Sequence, residues 1–379
     1  MEALDPAATP RQGPASSDDA EMSQSTLVAR IVRHPVADTE SSESSALLVG
    51  AGAFVAGTLV AVLVFWGREV PISGRGSIGD FAAIGGAVVA MAAFVFGSAL
   101  RRAQARRDET TGTTRARLHW FDIAALTLAH GVIAMLGWAA LASVLSDSFI
   151  GASLYAASAG VLAGVALAAT AYVAYLSAVN LTPMLLSLVL ALFLTVGALA
   201  SMLSATDPLW WQKNLSTLGI SDDFSARAFN VTLIIAGVMV TTIAHYATAF
   251  LPSSTQSEAR GRNRVRFALV LIGVLLACVG IFPVDEFLEL HNISATGMAI
   301  VYVVMVVSLR RLLPSLPRIF ILLGYVYVGV IVVLAIFFIT GYYNLTAVEL
   351  VAAVLIFSWV ILFLRNTGAV ETAAHESTL

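Results

Sequence analysis

At 379 residues the chain is long enough for two or three water-soluble domains, yet 58% of it is hydrophobic, 12% is charged and the mean hydropathy is +0.86. Soluble domains carry about 25% charged residues to cover their surface, so this composition excludes a conventional globule and makes lipid the expected solvent for much of the surface. The net charge of -3 and the lack of a basic stripe interleaved with aromatics give no sign of nucleic-acid binding, and a single cysteine, Cys278, excludes an intrachain disulfide and a thiolate metal cage.

Residues 1–45 are rich in Ser, Asp, Pro and Ala and contain no signal-peptide core, so they are expected to form a disordered cytoplasmic tail. Crossing about 30 Å of hydrocarbon takes about 20 apolar residues. Such runs fall at Ala46–Trp66, Phe81–Leu100, Trp120–Leu145, Ile150–Leu176, Pro183–Leu203, Ala228–Leu251, Phe267–Phe282, Ile293–Leu309, Ile319–Thr340 and Thr346–Leu364. The seventh is short, with room to extend past Pro283. The expected fold is all-α: a polytopic transmembrane helix bundle of about ten spans. Residues 46–182 would form a four-span region, 183–364 a six-span domain, and 365–379 a second short cytoplasmic tail.

Positive charge sets the expected orientation. With the N-terminus in the cytoplasm, the inner segments hold seventeen of the 21 Lys and Arg residues: Arg11, Arg30 and Arg33; six between Arg101 and Arg117; Arg260, Arg262, Arg264 and Arg266; Arg310, Arg311 and Arg318; and Arg365. The outer segments hold Arg68, Arg75, Lys213 and Arg227. This asymmetry requires an even number of spans and puts both termini in the cytoplasm of a cell membrane.

Small residues at four-residue spacing predict close helix packing: Ala156, Gly160, Gly164 and Ala168 in the fourth span, Gly52–Ala56 and Ala53–Gly57 in the first, and Gly86–Ala90 in the second. Spans one to four and five to eight share a loop layout that fits either an internal repeat or the positive-inside rule alone. The span centres contain almost no ionisable side chains beyond His130 and His245, and a lone intramembrane histidine reads first as a packed neutral ring.

Polar residues gather in the outer segments. Between spans five and six, Trp210 and Trp211 suit headgroup depth, Ser221 is expected to cap the next helix, and Asp222 and Asp223 would lie in its first turn. Between spans seven and eight, Asp285, Glu286, Glu289 and His291 fall within seven residues. If this segment is helical, Asp285 and Glu289 share a face, and a carboxylate from here or from the Ser216 loop can orient His291. Glu349, just inside the tenth span, can join from across the bundle. Such a cluster can serve as general acid and base, bind a cation or grip an amine headgroup; it reads equally as a solvated turn. The chain contains no HExxH, Gly-x-Ser-x-Gly, P-loop or dinucleotide fingerprint, and the sequence leaves the cofactor unknown.

In these two segments the chain resembles the membrane-protein family known as domain of unknown function 998. The resemblance lies in Ser216-Thr217-Leu218-Gly219, then Phe229-Asn230 opening a span, then Gly280-Ile281-Phe282-Pro283 followed by Asp285 and His291. It covers roughly Pro183 to Leu364; family members often carry an acidic residue where this chain has Thr217. The family is distantly similar to the Frag/DRAM/Sfk group, some of whose members are linked to lipid-anchor remodelling and lipid distribution. The resemblance therefore implies a lipid-handling role with membrane lipid as partner and with Ser216, Asp285 and His291 as candidate catalytic positions. Asn214, Gly219, Asn230, Glu286, Glu289 and Glu349 are the candidate binding residues. A small-solute transporter and a non-catalytic scaffold or regulatory subunit are the alternatives.

Overall fold

A computed structural model describes residues 39–109, 119–220, 222–249, 251 and 255–376. Ten helices account for most of them: α1 (Thr39–Phe65), α2 (Ile78–Glu109), α3 (Trp120–Ser148), α4 (Ala156–Val179), α5 (Pro183–Leu203), α6 (Phe224–Ala249), α7 (Gln256–Ile281), α8 (Leu288–Leu312), α9 (Arg318–Ile339) and α10 (Leu345–Glu376). Each is long and apolar enough to cross a membrane. The protein is an all-α, multi-pass membrane bundle. Its perimeter is apolar, with Leu63, Leu203, Ile319 and Ile339 each more than 70% exposed, as expected where lipid tails replace water.

The helices thread back and forth. Segments following odd-numbered helices meet at one end. There β1 (Glu69–Pro71) pairs antiparallel with β2 (Ser153–Tyr155), Asn344 Nδ2 donates to the Trp211 carbonyl at 2.9 Å, and Ser216 meets His291. Segments following even-numbered helices meet at the other end. Arg101 donates to the Leu181 carbonyl at 3.4 Å, Arg266 Nε to Thr248 Oγ1 at 2.7 Å, and Gly261 packs on the Leu312 backbone.

Several helix ends differ from those expected. Helix α1 begins at Thr39, and Ser41, Ser42 and Ser45 are buried, so these residues do not belong to a disordered tail; residues 1–38, the bulk of that tail, lie outside the described residues. The seventh span does not extend past Pro283. It extends backwards through its arginines to Gln256, where Thr255 and Glu258 form a reciprocal capping box. Arginine is a good helix former, so a polar composition did not mark the helix end. Helix α10 continues to Glu376, through most of the expected C-terminal tail. The β1–β2 ladder, three residues a side, is too short to leave a sequence pattern.

The small-residue ridge of α4 packs on α1: Gly160 faces Val62 and the Thr58 carbonyl, and Gly164 faces the Phe54 carbonyl. On α1 only one of the two expected pairs takes part. Gly57 is covered by Leu167, whereas nothing lies within 4 Å of the Cβ position of Gly52. Gly86 of α2 rests against Trp138 of α3. A close crossing in the other half joins α6 and α7, where a Cβ on Gly237 or Gly273 would run into the opposing backbone.

The two halves do not repeat this packing. Helix α1 lies along α4, while α5 lies along α6 and makes no comparable contact with α8. Helix α6 is the most enclosed, with 56% of its apolar window buried against 17% for α1. His130 is a packed ring: Nδ1 donates to the Leu126 carbonyl at 2.7 Å, and Nε2 lies 2.8 Å from Ser177 Oγ on α4. His245 is exposed, and Cys278 is half-buried. Near the arginine-rich end, Asp122 joins α3 to α6 by accepting from Thr242 Oγ1 at 2.8 Å.

Candidate functional site

The site forms at the end of the bundle where odd-numbered helices finish. Helix α7 stops at Ile281 because Pro283 has no N–H to continue the ladder. The break leaves the Phe282 carbonyl without a helical partner, and His291 supplies one. Its Nδ1 lies 2.8 Å from Phe282 O, and its Nε2 lies 2.9 Å from Ser216 Oγ. A carbonyl oxygen can only accept, so Nδ1 carries the proton and the Nε2 lone pair accepts the Ser216 hydroxyl. The ring is 3% exposed.

Ser216 lies on a 3-10 turn, Leu215–Gly219, fixed from three directions. From α10, the Glu349 carboxylate accepts the Leu215 N–H at 2.5 Å and also the Ser216 N–H. From within the loop, Thr217 Oγ1 donates to Asn214 Oδ1 at 2.9 Å. From α6, Asn230 Nδ2 donates to the Gly219 carbonyl at 3.0 Å. A Cβ at position 219 would lie 2.5 Å from Asn230 Oδ1, so any larger residue there would displace the Asn230 side chain. Gly280 of α7 presses on the Asn230 carbonyl from the other side. Asn230 is therefore wedged between the serine turn and the end of α7.

Three of the expected residues, Asp285, Glu286 and Glu289, are not brought together as anticipated. Asp285 lies in the turn before α8 and shares no helix face with Glu289. Asp285, Glu286 and Glu289 are all exposed, and among the described residues none forms a hydrogen bond or ion pair with His291. The Phe282 carbonyl, close at hand and already desolvated, takes the place expected for a carboxylate. No group of three His, Cys, Asp or Glu side chains among the described residues is placed to hold a metal ion. Glu349 does join from across the bundle, to the serine turn and not to the acidic one.

Asp223 caps α6, accepting the Ala226 N–H at 2.9 Å and the Thr206 hydroxyl at 2.9 Å. This is the role expected of Ser221, which lies outside the described residues. Asp222 and Asp223 precede the helix and do not occupy its first turn. Asp207 accepts the Leu209 N–H at 2.9 Å and pairs with Lys213 at 3.3 Å, and these two contacts hold its carboxyl below the ordinary aspartate range.

His291 is the fourth residue of α8 and Glu349 the fifth of α10, so both lie about 5–6 Å inside their helix ends at 1.5 Å per residue. Trp211, Tyr342 and Tyr343 expose their rings on the loops beside this site, a residue type that suits headgroup depth in membrane proteins.

Comparison with family models, with curated proteins and with solved structures finds no match. The chemistry must be read from the site itself. A serine hydroxyl donating to a histidine whose other nitrogen is fixed is a geometry that a nucleophile and its general base can use; His130 and Ser177 share it inside the bundle, and what sets Ser216 and His291 apart is their place at the bundle end. The carbonyl fixes the tautomer as a carboxylate would, but offers a dipole in place of a full charge. Sequence reasoning missed Phe282, whose contribution is a backbone atom; the Phe282-Pro283 break is the only sequence signal of it.

Proposed function

We propose that the protein acts on membrane lipids at the outer face of a cell membrane, with Ser216 as nucleophile and His291 as general base. The arginine-rich end and both termini then lie in the cytoplasm. The observation carrying this reading is the 2.9 Å contact from Ser216 Oγ to His291 Nε2 with Nδ1 already committed to Phe282. The exposed aromatic rings at this end and the site's depth supply the lipid context, and the resemblance to the domain of unknown function 998 family, which has no established activity, points by analogy to lipid handling and to Ser216 and His291 as positions to test.

Ser216 Oγ attacks the carbonyl carbon of a lipid ester as its proton passes to His291 Nε2. Collapse of the tetrahedral intermediate expels the alcohol, which takes that proton, and leaves an acyl ester on Ser216. Water or a second alcohol, deprotonated by the same imidazole, then releases the acyl group. Thr217 occupies the oxygen of Asn214, which leaves its NH2 as the end able to donate to substrate.

The test is to treat the purified protein in phospholipid nanodiscs with a long-chain alkyl fluorophosphonate and map the adduct by peptide mass spectrometry. The expected result is labelling at Ser216 that His291→Ala lowers by a factor of about 100 or more, the usual scale of general-base catalysis. Unlabelled native protein, or equal labelling of the His291→Ala variant, overturns the proposal and leaves the Ser216–His291 bond as a loop fastener. Unchanged lipid composition in cells lacking the protein would also count against it.

A further inference from the structure

At the arginine-rich end, far from Ser216, a cleft of about 290 Å³ opens between α2 and α3. Its α2 wall is a single stripe: Val95, Ala99, Arg102 and Arg106 follow the i, i+4, i+7, i+11 spacing of one helix face. All four are exposed, so the stripe faces outward and not into the bundle core. Ser98 forms part of the floor and Ile123 of α3 the opposite wall. We infer that this cleft binds an anionic phospholipid, with the phosphate on Arg102 and Arg106 and an acyl chain along Val95, Ala99 and Ile123.

The order of chemistry along the stripe carries the argument. Its apolar half lies toward the middle of α2 and its cationic half toward the helix end, over about 16 Å at 1.5 Å per residue. A phospholipid in a bilayer presents the same sequence, chain toward the midplane and phosphate toward water. A soluble anion would leave the apolar half unused. Two guanidiniums one turn apart can share one phosphate through charge-assisted hydrogen bonds. Arg102 has a further interaction within the protein, and the five donors of a guanidinium allow both. The small side chain of Ala99 leaves the width that a chain needs.

Arginines that merely snorkel to headgroups would also attract anionic lipid, and the experiment separates the two cases. The full chain, purified in detergent, is offered equal amounts of phosphatidylglycerol and phosphatidylcholine with matched chains, and bound lipid is counted by native mass spectrometry. Phosphatidylglycerol should be retained at least tenfold over phosphatidylcholine. Arg102→Gln/Arg106→Gln should abolish this preference, and so should Ala99→Leu/Ala103→Leu, which fills the cleft and leaves the charges in place. These positions face outward, so neither pair disturbs the core. Absence of a preference in the native protein, an undiminished preference in the filled cleft, or full displacement of lipid by inorganic phosphate would overturn the inference. Nothing here depends on Ser216 being a nucleophile.

Discussion

The Glu349 carboxylate accepts the Leu215 N–H at 2.5 Å across 134 positions of sequence, tying α10 to the turn that carries Ser216. Removing it strands two backbone donors, each worth about 1–3 kcal/mol when fully buried. Glu349 is half-buried, so the lower end of that range applies. Lys213, the only lysine in the chain, is exposed beside the turn, so a lysine-specific endoprotease reports on this loop alone. Glu349→Ala should raise nicking at Lys213 about tenfold, a loosening of roughly 1.4 kcal/mol, and Glu349→Gln by less. Nicking at the native rate in the alanine variant would mean that the turn holds without its clamp.

The α6–α7 crossing leads to a packing prediction with its own control. Gly273→Leu forces a side chain into the Gly237 carbonyl and the Thr241 backbone, an overpacking expected to destabilise by about 1–3 kcal/mol or more. Gly52→Leu adds the same atoms where nothing lies within 4 Å. Thermal unfolding in detergent should separate the two variants clearly, with Gly52→Leu close to native.

Asp207 is expected to couple the segment before the serine turn to acid. Its carboxyl titrates below the ordinary range because the Leu209 N–H, and then the Lys213 ammonium, favour the charged form. A depressed folded-state value contributes stability at neutral pH that is lost as pH falls through that value. Emission from the neighbouring Trp210 and Trp211 should therefore change on strong acidification, and Asp207→Asn should remove that step. A step that survives the substitution must come from another group.

Threading can be checked with cysteine chemistry, because Cys278 is the only native thiol. In a Cys278→Ala background, Tyr342→Cys and Asn263→Cys lie at opposite ends of the bundle, both at exposed positions. An impermeant maleimide added to intact cells should label position 342 and spare 263. Labelling of both would contradict the alternating path, and labelling of 263 alone would invert the orientation.

How much of this was legible in sequence depends on the range of the interaction. Span number and the α4 ridge were readable because bilayer thickness and small-residue spacing act locally. The start of α7 was not, because its arginines break the apolar pattern without breaking the helix. In the site, Ser216, His291 and Glu349 could be singled out as polar groups in an apolar chain. Their pairing could not, since it depends on how the turn before α6 meets the start of α8 and of α10. Asp285 attracted attention by its charge, yet it stays in solvent where an acidic side chain is cheapest to hydrate.

The oxygen that orients His291 belongs to the main chain. No side-chain exchange at Phe282 deletes it, so an alanine scan across this segment would find the histidine important and its support invisible. Only a change to the path of the chain, such as replacing Pro283 and letting α7 run on, would take that oxygen away. Such a variant would unseat the imidazole while every side chain named in the site remained in place.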